Sequence, residues 1–172
     1  LSPDNTIEIK GSTFISYLGK KFLLAFCNKE GLSEFKNLFE LDTNTVDWKL
    51  DEILCQNVEI SEENSGKYTP HELNYDVNNR IDFEKGCYTG QEVVARMHYR
   101  GNNLPRLNLA ETPDLNVTDN MTLTDQEDKK IGNLVKVVNL DKKSVCLVSA
   151  KEKNYIGGPF KIRETSSVLS IS

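Results

Sequence analysis

Cys87 lies in the run Lys85-Gly-Cys-Tyr-Thr-Gly-Gln-Glu92, two residues before Thr89. A thiol beside a lysine and just ahead of a helix start has an electropositive setting. That setting favours the thiolate, the form that attacks electrophiles and binds soft metals. Glycines at 86 and 90 leave the backbone approachable. The alternative for Cys87 is a buried packing residue. Downstream, residues 93–106 hold three arginines, one histidine and no acid, and residues 80–106 carry five Arg/Lys against three Asp/Glu on a chain whose net charge is -5. A local basic patch on an acidic chain suits a small anion better than a long polyanion. Arg96, Arg100 and Arg106 offer the forked guanidinium contact that carboxylates accept. The alternative is an i, i+4 pair of Glu92 with Arg96 and solvation of the rest. Trp48, the only tryptophan, offers an indole face for a flat heterocycle, or serves as core beside Leu50, Ile53 and Leu54.

Other chemical centres are scarce. His71 and His98 are the only histidines, and His98 falls about 13 Å along the helix that follows the thiol, too far for a Cys–His pair. Cys27, Cys55, Cys87 and Cys146 are widely spaced, with no CxxC. Neither a metal site nor a disulfide framework is expected, and a reducing, cytoplasmic compartment is the simplest fit.

Element signals run along the rest of the chain. A length of 172 residues allows one domain or two small ones, and 38% apolar with 27% charged residues is globular composition. The longest apolar run, Phe22 to Cys27, is strand-sized, well short of the roughly 18 residues of a membrane span. No charged n-region with an apolar core follows Leu1, so no signal peptide is read, and the absent initiator Met suggests a processed or partial chain. Net acidity argues against direct nucleic-acid binding.

Residues 7–27 read as strands around a break at Gly11-Ser12, with Lys20 to Cys27 a buried strand. A helix capped by Ser33 carries Phe35, Leu38 and Phe39, and Val46, Leu50, Ile53 and Leu54 mark a second amphipathic helix. Thr69-Pro-His-Glu72 is a capping box opening a short helix, and Thr89-Gly-Gln-Glu92 opens another that Gly101 stops. Beyond Leu104 come short strands near 107–110, 121–123, 131–138, 144–150 and 160–163. Turn signals at Asn139–Lys142 and Gly157–Pro159 separate them, the texture of a small β-barrel or sandwich. The segment 111–128 holds six acids and no base and reads as a solvated face.

Lys85 to Glu92, continued by Val93-Val-Ala-Arg-Met-His-Tyr-Arg-Gly101, resembles the signature of the YgfZ-type folate-binding proteins. These are relatives of the glycine-cleavage T protein (aminomethyltransferase) and of a mitochondrial iron–sulfur assembly factor. Thr69-Pro-His-Glu-Leu-Asn74 and Ile131-Gly-Asn-Leu-Val135 resemble the flanking segments. The resemblance implies an α+β protein of aminomethyltransferase-like fold: a ferredoxin-like part over residues 1–68, a linking motif segment over 69–103 and a C-terminal β-barrel over 104–172. The chain would then be the later two-thirds of such a protein, without most of its N-terminal domain. It further implies a functional thiol at Cys87 and a tetrahydrofolate site with Trp48, Lys85, Gln91, Arg96 and Arg100 as contacts. The implied role is an accessory protein for assembly or repair of iron–sulfur enzymes, including a tRNA-modifying methylthiotransferase, with those enzymes as clients. The alternative is one-carbon transfer of the T-protein type. A pterin needs an aromatic face and its glutamate tail a cation, which Trp48 and the arginines offer.

Overall fold

The computed structural model describes residues 6–9, 12–17, 22–38, 45–101, 103–157 and 159–171. The chain divides into two compact units, Leu1–Cys55 and Gln56–Ser172.

In the first unit, β1 (Thr6–Ile9), β2 (Ser12–Tyr17) and β3 (Phe22–Phe26) form an antiparallel sheet in that order, with Ile7 opposite Phe14 and Ile15 opposite Leu24. Two helices follow, α1 (Lys29–Leu38) and α2 (Val46–Leu54). Two expectations from the sequence do not hold. The strand expected to be buried leaves Phe26 60% exposed. The cap of α1 is Asn28, not Ser33: Asn28 Oδ1 accepts from the Gly31 N–H at 2.8 Å, while the Ser33 hydroxyl, already inside the helix, donates to the Lys29 carbonyl at 3.1 Å. Asn is among the strongest N-caps, and a serine one turn in has only the preceding turn's carbonyl to bind. Gly11, Lys20 and Phe39, and the side chains of Phe35 and Leu38, lie outside the described residues.

In the second unit the capping box at Thr69 forms in full. The Thr69 N–H donates to Glu72 Oε2 at 2.9 Å and the Glu72 N–H donates to Thr69 Oγ1 at 3.2 Å. The expected helix nevertheless does not grow. Asn74 takes a left-handed φ of 55°, and residues 70–79 close as successive turns rather than as a helical ladder. Thr69→Ala is expected to cost about 1 kcal/mol, read as a lower urea midpoint with an unchanged slope.

The motif helix α3 (Gln91–Arg100) starts one residue later than its capping box predicts. Gly90 is the N-cap at φ 89°, and no side chain caps the helix. Gln91 instead takes the Tyr88 N–H on its Oε1 at 3.4 Å. The helix stops at Gly101 as expected, and that position has room only for glycine. A Cβ there would collide with the Met97 carbonyl and the Leu104 side chain.

A closed six-stranded antiparallel barrel follows, in the order β4-β7-β6-β5-β8-β9. Its strands are β4 (Pro105–Thr112), β5 (Thr122–Thr124), β6 (Lys130–Asn139), β7 (Ser144–Lys151), β8 (Phe160–Ile162) and β9 (Val168–Ile171). Leu134, Cys146, Val148, Ile162 and Leu169 pack in its interior. In β6 the register slips between Leu134 and Lys136, leaving Val135 as an extra residue. That bulge is why two successive side chains, Leu134 and Val135, are both fully buried. Residues Ser144–Ala150 of β7 are buried without alternation. With Cys146 and Val148 facing inward, the outward Val145 and Leu147 must also be covered. The turn segment 70–79 ties to the adjacent strand β4, Asn74 Nδ2 donating to the Leu107 carbonyl at 3.2 Å. Among the described residues no helix is long and apolar enough to cross a membrane.

Candidate functional site

The motif opens on an Asx turn. Asp82 Oδ1 accepts from the N–H groups of Glu84 at 2.8 Å and Lys85 at 3.2 Å, which fixes the backbone that presents Lys85. The Lys85 ammonium lies 5.2 Å from the centroid of the Tyr88 ring, within cation–π range. Cys87 is exposed, in the loop between this turn and α3. The packing alternative for it therefore does not hold. That part is played by Cys146, fully buried in the barrel, where burial first and the nearby Asp119 second push the thiol up to about 12.

No residue of α3 is buried, and Val93 and Tyr99 are 59% and 72% exposed. Along the helix runs an open groove of about 410 Å³ lined by Val93, Met97, Gly101 and Leu104, with Arg96 and Arg100 among its walls. Arg96 and Arg100 sit one turn apart and both are exposed. Among the described residues neither forms an ion pair, so the expected Glu92–Arg96 pair is not made. Arg106 does not join them. Its guanidinium is spent on Asp76, so the three-arginine grouping reduces to two. Arg80 is likewise committed, donating to Glu59 at 2.7 Å and to Asn57. Of the five basic side chains in the segment, Lys85, Arg96 and Arg100 form no ion pair among the described residues. Gln91 is half-buried at the helix start, and Trp48 is half-buried on α2 of the first unit. Among the described residues no group of three or more His, Cys, Asp or Glu side chains is arranged to hold a metal ion.

The densest polar cluster among the described residues centres on Asp76. The Asp76 carboxylate, 3% exposed, accepts two bonds from Arg106, Nη1 to Oδ1 at 2.6 Å and Nη2 to Oδ2 at 2.9 Å. His71 Nδ1 approaches Oδ2 at 3.1 Å and His98 Nδ1 at 3.5 Å. Arg106 also donates to the His71 carbonyl at 3.2 Å. His98 stacks on Phe83 with centroids 4.1 Å apart at 26°, and Tyr99 meets Phe83 edge-on. Burial alone would raise the Asp76 pKa, but the forked Arg106 bonds, helped by both histidines, outweigh it and hold the carboxyl below its ordinary value. His71 is also lowered, first by burial and then by the Arg106 cation, against the opposing pull of Asp76. A carboxylate can only accept, so neutral His71 carries its proton on Nδ1.

Both shifts work in the same direction on stability. The unfolded chain binds a proton at His71 more readily than the folded one, so stability falls as pH drops through the ordinary histidine value of about 6.5. Asp76 contributes stability that is present above the ordinary carboxylate range and lost as pH falls through its lower folded value. The urea midpoint of the second unit is expected to decline from about pH 6.5 downward, and His71→Gln to flatten the decline between pH 7 and 5.

The structure thus defines a class: an α+β protein in which a cysteine loop and an arginine-bearing helix lead into a closed six-stranded barrel. No protein-family model matches the chain. It has partial homology to the tRNA-modifying protein YgfZ, which bears out the resemblance carried by the motif. It is 32% identical to the protein of that name from Pectobacterium carotovorum over 101 residues, 56% of this chain and 30% of the relative. Identity to the Vibrio atlanticus protein is 45% over 56 residues, 33% of this chain and 17% of the relative. The Enterobacter protein gives 32% over 115 residues, 63% of this chain and 35% of the relative. The matched stretch spans about a third of the length of these relatives or less.

Proposed function

We propose that this chain is part of a tetrahydrofolate-binding accessory protein that serves the assembly or repair of iron–sulfur enzymes in a tRNA-modification setting. The observation that carries the reading is a single loop–helix segment bearing an exposed thiol, Cys87, and an apolar groove walled by two guanidiniums that form no ion pair among the described residues. The fit is chemical. Folates combine a flat, largely apolar ring system with a carboxylate tail, and such ligands are held by apolar walls with a few fixed polar groups. Arg96 and Arg100 would take the carboxylates, and Lys85 and Gln91 would supply further polar contacts. Bound tetrahydrofolate would supply a reduced pterin able to carry one-carbon units. Cys87 would be the functional thiol toward iron–sulfur clients, which include a tRNA methylthiotransferase. On this reading residues 1–68 belong to a ferredoxin-like part, 69–103 link it to the barrel, and the protein works in the reducing cytoplasm.

Titration of Trp48 fluorescence with tetrahydrofolate or folinic acid tests the ligand, with calorimetry alongside it. Saturable binding is expected. Replacing both Arg96 and Arg100 by Ala should weaken it about tenfold or more, the value of a charged hydrogen bond. Absence of saturable binding in both measurements sinks the folate reading. The thiol is tested separately, in a strain deleted for its relative. Cys87→Ala is expected to lose cluster-enzyme activity, and restoration equal to wild type removes that role.

A further inference from the structure

The motif helix has little apolar burial to hold it, since no residue of α3 is buried. At its last turn His98 reaches back out of the helix, stacking on Phe83 and facing Asp76. Asp76 is held in turn by Arg106 of β4 and by His71 of the linking segment. The segment 71–76, the last turn of α3 and the start of β4 therefore meet on one buried carboxylate.

We infer that Asp76 is a positioning residue for the motif helix: its carboxylate fixes the last turn of α3 against the linking segment and β4, and so sets where Arg96 and Arg100 stand. The consequence for ligands rests on the reading of those two arginines as folate contacts. The consequence for the helix does not.

The chemistry favours this assignment over simple stabilisation of the barrel. The barrel interior is apolar and closed without Asp76. A carboxylate is the one side chain of this size with enough acceptor capacity for a forked guanidinium and two imidazole N–H donors. Asparagine keeps the shape but has one acceptor oxygen, so it leaves Arg106 without a counter-charge and cannot satisfy all the donors. The His98 tie is the longest of the set and the first that an Asn would forfeit.

The test exploits the presence of only two histidines. In labelled full chain, the His98 ring proton should be displaced upfield by the Phe83 ring stacked on it. In Asp76→Asn that displacement should collapse, and amide exchange of Met97 to Arg100 should speed up about tenfold or more, while Leu134 and Val148 keep their protection. Asp76→Glu should retain most of the tie. His98→Gln leaves Asp76 paired with Arg106 and His71, so the fold is not at stake, and the same loosening of residues 97–100 is expected. Folinic acid affinity should fall about tenfold in both loosening variants, a coupling of about 1.4 kcal/mol. Unchanged His98 displacement and exchange in Asp76→Asn overturns the inference. So does equal loosening of the barrel amides, which makes Asp76 a general stabiliser. If the wild-type chain fails to bind folinic acid, the ligand reading falls and the exchange data alone decide the role of Asp76.

Discussion

Gly132→Ala is expected to destabilise the barrel by about 3 kcal/mol, the upper end of what an added methyl group costs in a packed site. Gly132 lies on β6 between two strands, opposite Leu123 of β5 and Ala150 of β7. A Cβ built there would run into the Ser149 carbonyl oxygen and stand 2.7 Å from the Ala150 Cβ. Flexible side chains yield to such an intrusion at low cost. A carbonyl in a hydrogen-bonded ladder does not, because moving it breaks register with both neighbours. Gly132 has no positive φ, so the requirement for glycine is one of space, not of backbone conformation. The expected loss in Tm is about 10 °C. A Tm within 2 °C of wild type shows that the ladder adjusts and that the crowding is not felt. Gly66, whose Cβ would meet nothing within 4 Å, is not a neutral comparison, since its φ of 72° penalises alanine for a different reason. Gly86→Ala is the proper control, as it has open space around it and no positive φ.

The barrel was legible in the sequence because its signals are local. Short apolar, β-branched runs and the Asn139–Lys142 turn mark β6 and β7 within a few residues of their observed limits, Lys130–Asn139 and Ser144–Lys151. The last strand, Val168–Ile171, escaped notice because four residues with a central serine carry too little pattern. The Thr69 box was read correctly and its helix was not. Capping is decided over three residues, but propagation was stopped at Asn74, whose side chain bonds Gln56 and the Leu107 carbonyl. Tertiary partners outvoted a local start signal. The same physics hid the Asp76 cluster. Its partners lie five, 22 and 30 positions away, a spacing that matches no helix or strand period. The motif arginines illustrate both sides. Arg96 and Arg100 share a helix face by period alone, whereas the diversion of Arg106 to Asp76 depends on how β4 meets the turns of residues 70–79. Local spacing thus finds the candidate site and cannot find what holds it in place.

Cysteine chemistry separates the motif from the barrel by the largest factor available in this chain. At pH 8 a thiol-directed reagent such as iodoacetamide is expected to modify Cys87 at least about 10⁴ times faster than Cys146. Either of two causes is enough. Cys146 is fully buried, and its thiol is pushed up to about 12, so only about one molecule in 10⁴ carries a thiolate at that pH. Reagent also has no route to it until the barrel opens, an event governed by the stability of the unit. Cys87, exposed in its loop, needs no opening. Cys55 is exposed as well, so digestion and mass spectrometry must assign each site. Modification of Cys146 then becomes a gauge of the first prediction. Opposite Val137 on β7, it lies in the same ladder that Gly132→Ala disturbs. A loss of about 3 kcal/mol should speed its labelling roughly 150-fold and leave Cys87 unaffected. Labelling of Cys146 in step with Cys87 in the wild-type chain contradicts a closed barrel around it. Acceleration of both sites together in Gly132→Ala would place the motif loop in the same cooperative unit as the barrel. Acceleration of Cys146 alone means that the loop bearing the thiol samples its reactive exposure without any cost in barrel stability, the property a working thiol beside a rigid scaffold requires.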